Sequence, residues 1–170
     1  MFWLSIRRIG YPVLLLALGA CSKSTRSSAI HTTTSGGEVA DAAAPGAPVV
    51  LTVAARPGEA VYLTDSTGRA VYYIASPDGT AAVECTGECT TAFDPVTGKA
   101  IVATGDSIVK VALIGQLNRP GGSTQVTYAG KPLYYHRGDR ASGAPTGNGK
   151  KAGGGQASLV SPDGNKAARK

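Results

Sequence analysis

From Val49 onward the chain alternates short apolar runs with turn-forming residues. β-branched and aromatic residues dominate the runs, and Gly, Pro, Asp and Ser dominate the breaks, which is the signature of short strands. Val49 to Ala54 predicts a strand. Ala60 to Thr64 and Arg69 to Ala75, separated by Asp65-Ser66-Thr67-Gly68, predict a hairpin with a polar turn. From Ile108 to Leu117, Val109, Val111, Leu113 and Leu117 share one face while Lys110 and Gln116 take the other, so period two predicts a half-buried strand. Gln125 to Tyr128 and Pro132 to His136, joined by Ala129-Gly130-Lys131, predict a second hairpin. Gln156 to Ser161 predicts a last short strand, closed by Pro162-Asp163-Gly164. The chain reads as all-β, with room for one helical turn around Thr90 to Phe93.

The residues before this domain follow other patterns. Arg7 and Arg8 precede an apolar stretch from Ile9 to Leu18, and Leu18-Gly19-Ala20-Cys21 follows. Charge, a short apolar core and small residues in that order predict a signal peptide over residues 1–20. The apolar run is about half the 20 residues a membrane-spanning helix needs. Leu-Gly-Ala-Cys resembles the lipobox of bacterial lipoproteins, which implies cleavage before Cys21 and acylation of its thiol. Ser22 after the cysteine, in place of Asp, resembles the outer-membrane sorting pattern if the host is Gram-negative. Residues 21–48 then read as a lipidated cysteine and a flexible linker rich in Ser, Thr, Ala, Gly and Pro, too poor in large apolar residues to build a core. Such a coil spans roughly 30 Å.

The two predicted hairpins resemble each other. Gly68-Arg69-Ala70-Val71-Tyr72-Tyr73 aligns with Gly130-Lys131-Pro132-Leu133-Tyr134-Tyr135, and each is followed by an aspartate, Asp78 or Asp139, with one extra residue in the first copy. The domain at 49–164 is therefore expected to be a small antiparallel sandwich or barrel-like body made of two divergent hairpin repeats, about 60–98 and 108–164. A basic tail follows at 165–170.

Charge changes this picture little. The net charge is +6, but Val49 to Gly149 carries eight basic and eight acidic residues, so the excess sits in the N-terminal segments and in Lys150, Lys151, Lys166, Arg169 and Lys170. A nucleic-acid binder needs a basic patch on the domain itself. Nucleic acid is excluded as a partner.

Cys21 being reserved for lipid, Cys85 and Cys89 remain, and one disulfide between them is expected in an exported protein. Their spacing is not the two-residue spacing of a thioredoxin-like pair. Six of the seven tyrosines lie on the predicted hairpins. Alternation along a strand places one ring of each pair, Tyr72/Tyr73 and Tyr134/Tyr135, inward and the other outward. The outward rings would offer an aromatic surface to a glycan, peptide or hydrophobic ligand. The plainer alternative is that the rings pack across strands while Asp78 and Asp139 cap turns. His136 lacks company for a metal site, since the other histidine, His31, lies in the linker. Serines Ser107 and Ser123 have no Gly-x-Ser-x-Gly elbow, and Gly147 to Gly155 carries no phosphate-loop pattern. No catalytic, metal or cofactor residue is expected.

The residues now quoted carry a family resemblance. Tyr134 to Asp139 matches a Tyr-x4-Asp motif, and Tyr73 to Asp78 matches it too. Together with Cys85-Thr86-Gly87-Glu88-Cys89, Arg119-Pro120-Gly121-Gly122 and Thr146-Gly147-Asn148-Gly149, they resemble bacterial lipoproteins with a tandem secreted repeat of unknown function. The family often has Trp at the position of Phe93, and a Trp or an aromatic pair at the positions of Ala157 and Ser158. The resemblance implies an envelope location without a settled activity. The expected function is a membrane-anchored envelope lipoprotein with a non-catalytic binding or structural domain. Its partners would be the membrane through the lipid, and an envelope glycan or protein. The alternative is a redox-associated, metal- or haem-handling lipoprotein using Cys85, Cys89 and His136.

Overall fold

The computed structural model describes residues 48–104 and 106–168. The expected signal peptide, Cys21, the linker up to residue 47 and the last two tail residues lie outside the described residues. The described part is all-β. Its strands are β1 (Val49–Ala54), β2 (Tyr62–Asp65), β3 (Tyr72–Ala75), β4 (Ala82–Val83), β5 (Phe93–Pro95), β6 (Ala100–Val102), β7 (Ile114–Asn118), β8 (Thr124–Tyr128), β9 (Lys131–Pro132), β10 (Tyr134–His136), β11 (Lys151–Ala152) and β12 (Gly155–Leu159). Short 3-10 turns cover Gly87–Thr91 and Val111–Leu113.

The central sheet runs β11-β12-β3-β10-β5, with β4 added to β3, and is antiparallel throughout. It is flanked by two three-stranded sheets, β2-β1-β6 and β7-β8-β9. The β1–β6 pairing is parallel, the one departure from the antiparallel expectation among the strand ladders of the described residues. Both faces of the central sheet are buried. Val71, Tyr73, Ala75 and Leu133 join Leu51, Leu63, Val126 and Tyr128 in one core. Tyr72, Ile74 and Tyr134 join Phe93, Ala157, Leu159 and the two cysteines in the other.

This double burial corrects the expected outward rings. Alternation holds, since Tyr72 and Tyr73 point to opposite faces, but each face has its own core, so both rings are buried. Of the four paired tyrosines only Tyr135 is partly exposed. A second correction concerns the strand expected from Ile108. It begins only at Ile114, because a 3-10 turn precedes it, and Val111 is 68% exposed rather than inward. The second hairpin is also shorter than expected. β8 pairs with β9 for two residues, and β10 leaves to join the central sheet.

The repeats are interlocked. Aligned Tyr72 and Tyr134 are direct cross-strand partners at the middle of the central sheet. Antiparallel strands related by a local two-fold axis pair equivalent residues in this way. The pattern continues outward: β12 from the end of the second repeat pairs with β3 of the first, and β5 from the end of the first pairs with β10 of the second. Each repeat thus lends its final strand to the other's hairpin. The backbone bonds Leu63 N–H to Val160 O and Val126 N–H to Val96 O repeat the exchange. So do the basic residues. Arg69 stacks over Tyr135 at 4.4 Å, and Lys131 lies over Tyr73 at 5.5 Å, each reaching into the opposite repeat.

Candidate functional site

Symmetry makes the departures from it informative. The hydroxyls of Tyr134 and Tyr72 each accept a loop N–H, from Cys85 at 3.0 Å and from Gly147 at 3.3 Å. In the first repeat the loop reaching Cys85 contains a tight turn, Ser76 to Thr80, exposed to water. In the second repeat the corresponding loop folds inward.

That inward loop builds a polar cluster against the core. Tyr72 donates to Asp139 Oδ2 at 2.5 Å. Asp139 Oδ1 accepts the Thr146 N–H at 2.8 Å and the Thr146 hydroxyl at 2.6 Å. His136 Nδ1 lies 3.2 Å from the same oxygen, and Lys150 Nζ lies 3.3 Å from His136 Nε2. A lysine ammonium can only donate, so Nε2 accepts and Nδ1 carries the proton given to Asp139. His136 and Asp139 are buried, while Thr146 and Lys150 lie at the surface. The imidazole is 5.0 Å from the Phe93 ring. Two glycines make room for it: a Cβ on Gly147 would sit 2.8 Å from His136 Cβ, and one on Gly138 would sit 2.8 Å from its Cε1. Burial and the Asp139 carboxylate together raise the Tyr72 hydroxyl far above the usual tyrosine range, so it stays a donor.

Asp78 is not the counterpart of Asp139. It closes the exposed Ser76-Pro77-Asp78-Gly79 turn, accepting from the Ser76 and Thr80 hydroxyls and from Thr80 N–H. Those bonds hold its carboxyl down at about 2. The same four residues recur as Ser161-Pro162-Asp163-Gly164, where Ser161 and Asn165 hold Asp163 at about 2. This identical tetrapeptide was readable in the sequence as a repeated turn and was not singled out there. Nor was Lys150, and Thr146 was noted only within the Thr146-Gly147-Asn148-Gly149 segment, with no role in the cluster.

Cys85 and Cys89 form a disulfide across the 3-10 turn at Gly87–Thr91. Beside it lies an open groove of about 750 Å³ lined by Cys89, Thr91, Phe93, Ala152, Gly154 and Gln156, among others. The groove and the His136 cluster are separate: Phe93 stands between them, lining the first and packing on the second. Among the described residues no group of three or more His, Cys, Asp or Glu is placed to hold a metal ion.

Residues 115–155, covering β7 to the start of β12, match a lipoprotein family model described as a secreted repeat of unknown function. Over those residues the chain is similar to that secreted repeat. The match takes in β8, β9, β10 and the whole inward loop with His136, Asp139, Thr146 and Lys150. A secreted repeat points to an extracellular or envelope location. Neither curated proteins nor solved structures gave a match.

Proposed function

We propose that the chain is an envelope lipoprotein, acylated on Cys21, whose β domain is a non-catalytic binding module facing the periplasm or the exterior. Acylation is supported by the Leu18-Gly19-Ala20-Cys21 segment and by the lipoprotein family match. Binding is carried by one observation, the groove beside the disulfide. Its volume falls in the range of small-ligand clefts, and its floor is apolar at Phe93 and Ala152 with Glu88, Lys151 and Gln156 at the rim. An extended glycan or peptide suits an open groove of this kind better than a compact cofactor. The His136 cluster reads as a lock, because its hydrogen bonds are spent on its own members.

Two measurements test this. Growth with labelled palmitate is expected to label the wild-type protein and place it in the membrane fraction, while Cys21→Ala stays unlabelled. An unlabelled wild type overturns the anchoring. For the groove, glycan and peptide fragments are screened by chemical-shift changes, and Ala92→Trp is expected to abolish the hits by filling the space. Fragments that bind the variant as well as the wild type are bound elsewhere. The alternative, a metal- or redox-handling protein, draws on Nε2 of His136, which lies 3.3 Å from Lys150 Nζ. Stoichiometric bound metal, a haem band or free thiols in the purified protein would put it first.

A further inference from the structure

We infer that the segment Lys99 to Val111 is a membrane-docking face for anionic lipid. It lies where the domain receives the chain from its N-terminal side. Val49, the first residue of β1, donates its N–H to Lys99 O and pairs with Ala100. β6 is an edge strand, with Ala100 and Val102 packed on the core and Lys99 and Ile101 turned away from it.

Residues 106–109 lie along the same outer face. Asp106 accepts from the Thr52 hydroxyl at 3.1 Å and from the N–H groups of Ile108 and Val109 at 2.8 and 3.1 Å. Val109 is buried as a peg, and the Lys110 N–H is tied to the Tyr128 hydroxyl at 2.9 Å. With the backbone pinned at both points, Ile108 is left 51% exposed and Val111 68% exposed, with Ile101 at 41%. Three of the four large exposed apolar side chains of the described residues therefore fall between positions 99 and 111, with Lys99 and Lys110 exposed among them. Its acid, Asp106, is spent inward on the turn, and nearby Asp163 is spent on its own Ser161–Asn165 turn.

Apolar side chains to insert and lysines to meet headgroups fit an anionic bilayer surface. A pair of lysines and three aliphatic side chains bind weakly alone. A lipidated Cys21, fewer than thirty residues before Val49 in sequence, would hold the domain close to the bilayer and make weak docking sufficient. The inference uses the anchoring reading only to bring the bilayer near, and its test does without acylation.

Mature residues 21–170 carrying Cys21→Ala are sedimented with vesicles of phosphatidylcholine, with and without phosphatidylglycerol. Binding is expected with the anionic vesicles, weakening as salt rises. Lys99→Glu and Lys110→Glu should each lower it by about five-fold or more. The pair Ile108→Asp with Val111→Asp should remove it, with melting temperature and circular dichroism unchanged because both side chains are exposed. No binding of the parent chain overturns the inference. Binding that survives the Ile108/Val111 pair also overturns it, assigning the attraction to Lys23, Arg26 and the C-terminal lysines instead. A dimer in light scattering that the same pair dissolves would make this face a contact with a second copy, and overturn it too.

Discussion

The two loops that follow the paired tyrosines run from opposite sides of one pseudo-symmetric sheet and end alike, with an N–H on a buried tyrosine hydroxyl. Between those fixed points they solve different problems. The first loop satisfies its polar groups within itself, through the Ser76–Thr80 turn, and ends in a disulfide. The second sends its aspartate and histidine inward and satisfies them against Tyr72, Thr146 and Lys150. His136 stands where the first repeat has Ile74, each being the second residue after the aligned tyrosine. Burying an imidazole and a carboxylate where an aliphatic side chain serves requires every donor and acceptor to be matched. The comparison teaches that hydrogen bonding fixes the second loop while covalent closure fixes the first.

Removing Asp139 should show the largest difference. Asp139→Ala leaves Tyr72, Thr146 and His136 without their acceptor at a buried position, and is expected to destabilise by about 3 kcal/mol in urea unfolding. Asp78→Ala, at a fully exposed turn, should leave the midpoint close to wild type. Equal losses would break the asymmetry. Next is the disulfide. Cys85→Ala with Cys89→Ala removes a short closed loop and should cost about 2 kcal/mol. A loss comparable to that of Asp139→Ala would mean the bridge holds more than its own turn.

The tyrosines sharpen the comparison further. Tyr72→Phe orphans both Asp139 Oδ2 and the Gly147 N–H and should cost about 2 kcal/mol, whereas Tyr134→Phe orphans the Cys85 N–H and should cost about 1. Tyr72 has a folded-state pKa raised above its unfolded value, so its contribution is complete below pH about 10 and declines above it. The alkaline decline should shrink in Tyr72→Phe. The smallest effect is at the acid end. Asp78 and Asp163 sit at about 2 in the fold, below the unfolded value of about 3.9, so their contribution is complete above pH about 4 and fades as pH falls toward 2. Asp78→Asn with Asp163→Asn should flatten that stretch of the stability curve.

Much of this was legible in the chain. Period-two patterning and turn residues placed β1, β2, β3, β8 and β12, although β2 and β3 part into different sheets after a single bridge at Thr64 and Ala70, and the aligned Tyr-Tyr pairs marked the strands that meet at the centre. What patterning cannot carry is partner choice. β5 and β12 are short, and nothing in their composition says that each pairs with the other repeat. Burial on both faces misled for the same reason: an alternating strand looks half-exposed until a second core covers its other side. Ile108 to Leu117 shows the reverse failure, since an apolar period continued through a 3-10 turn that turned Val111 out to water. The inward fold of the His136 loop was invisible because it depends on Tyr72, more than sixty residues away in sequence.

The exchanged final strands bear on when the domain can come into being. β3 waits for β12, more than eighty residues later in sequence, so the central sheet cannot close until both repeats are free to fold. Pairings of such high sequence separation also close slowly. Under the proposed export across a membrane, this order of events would postpone folding until the passage is finished.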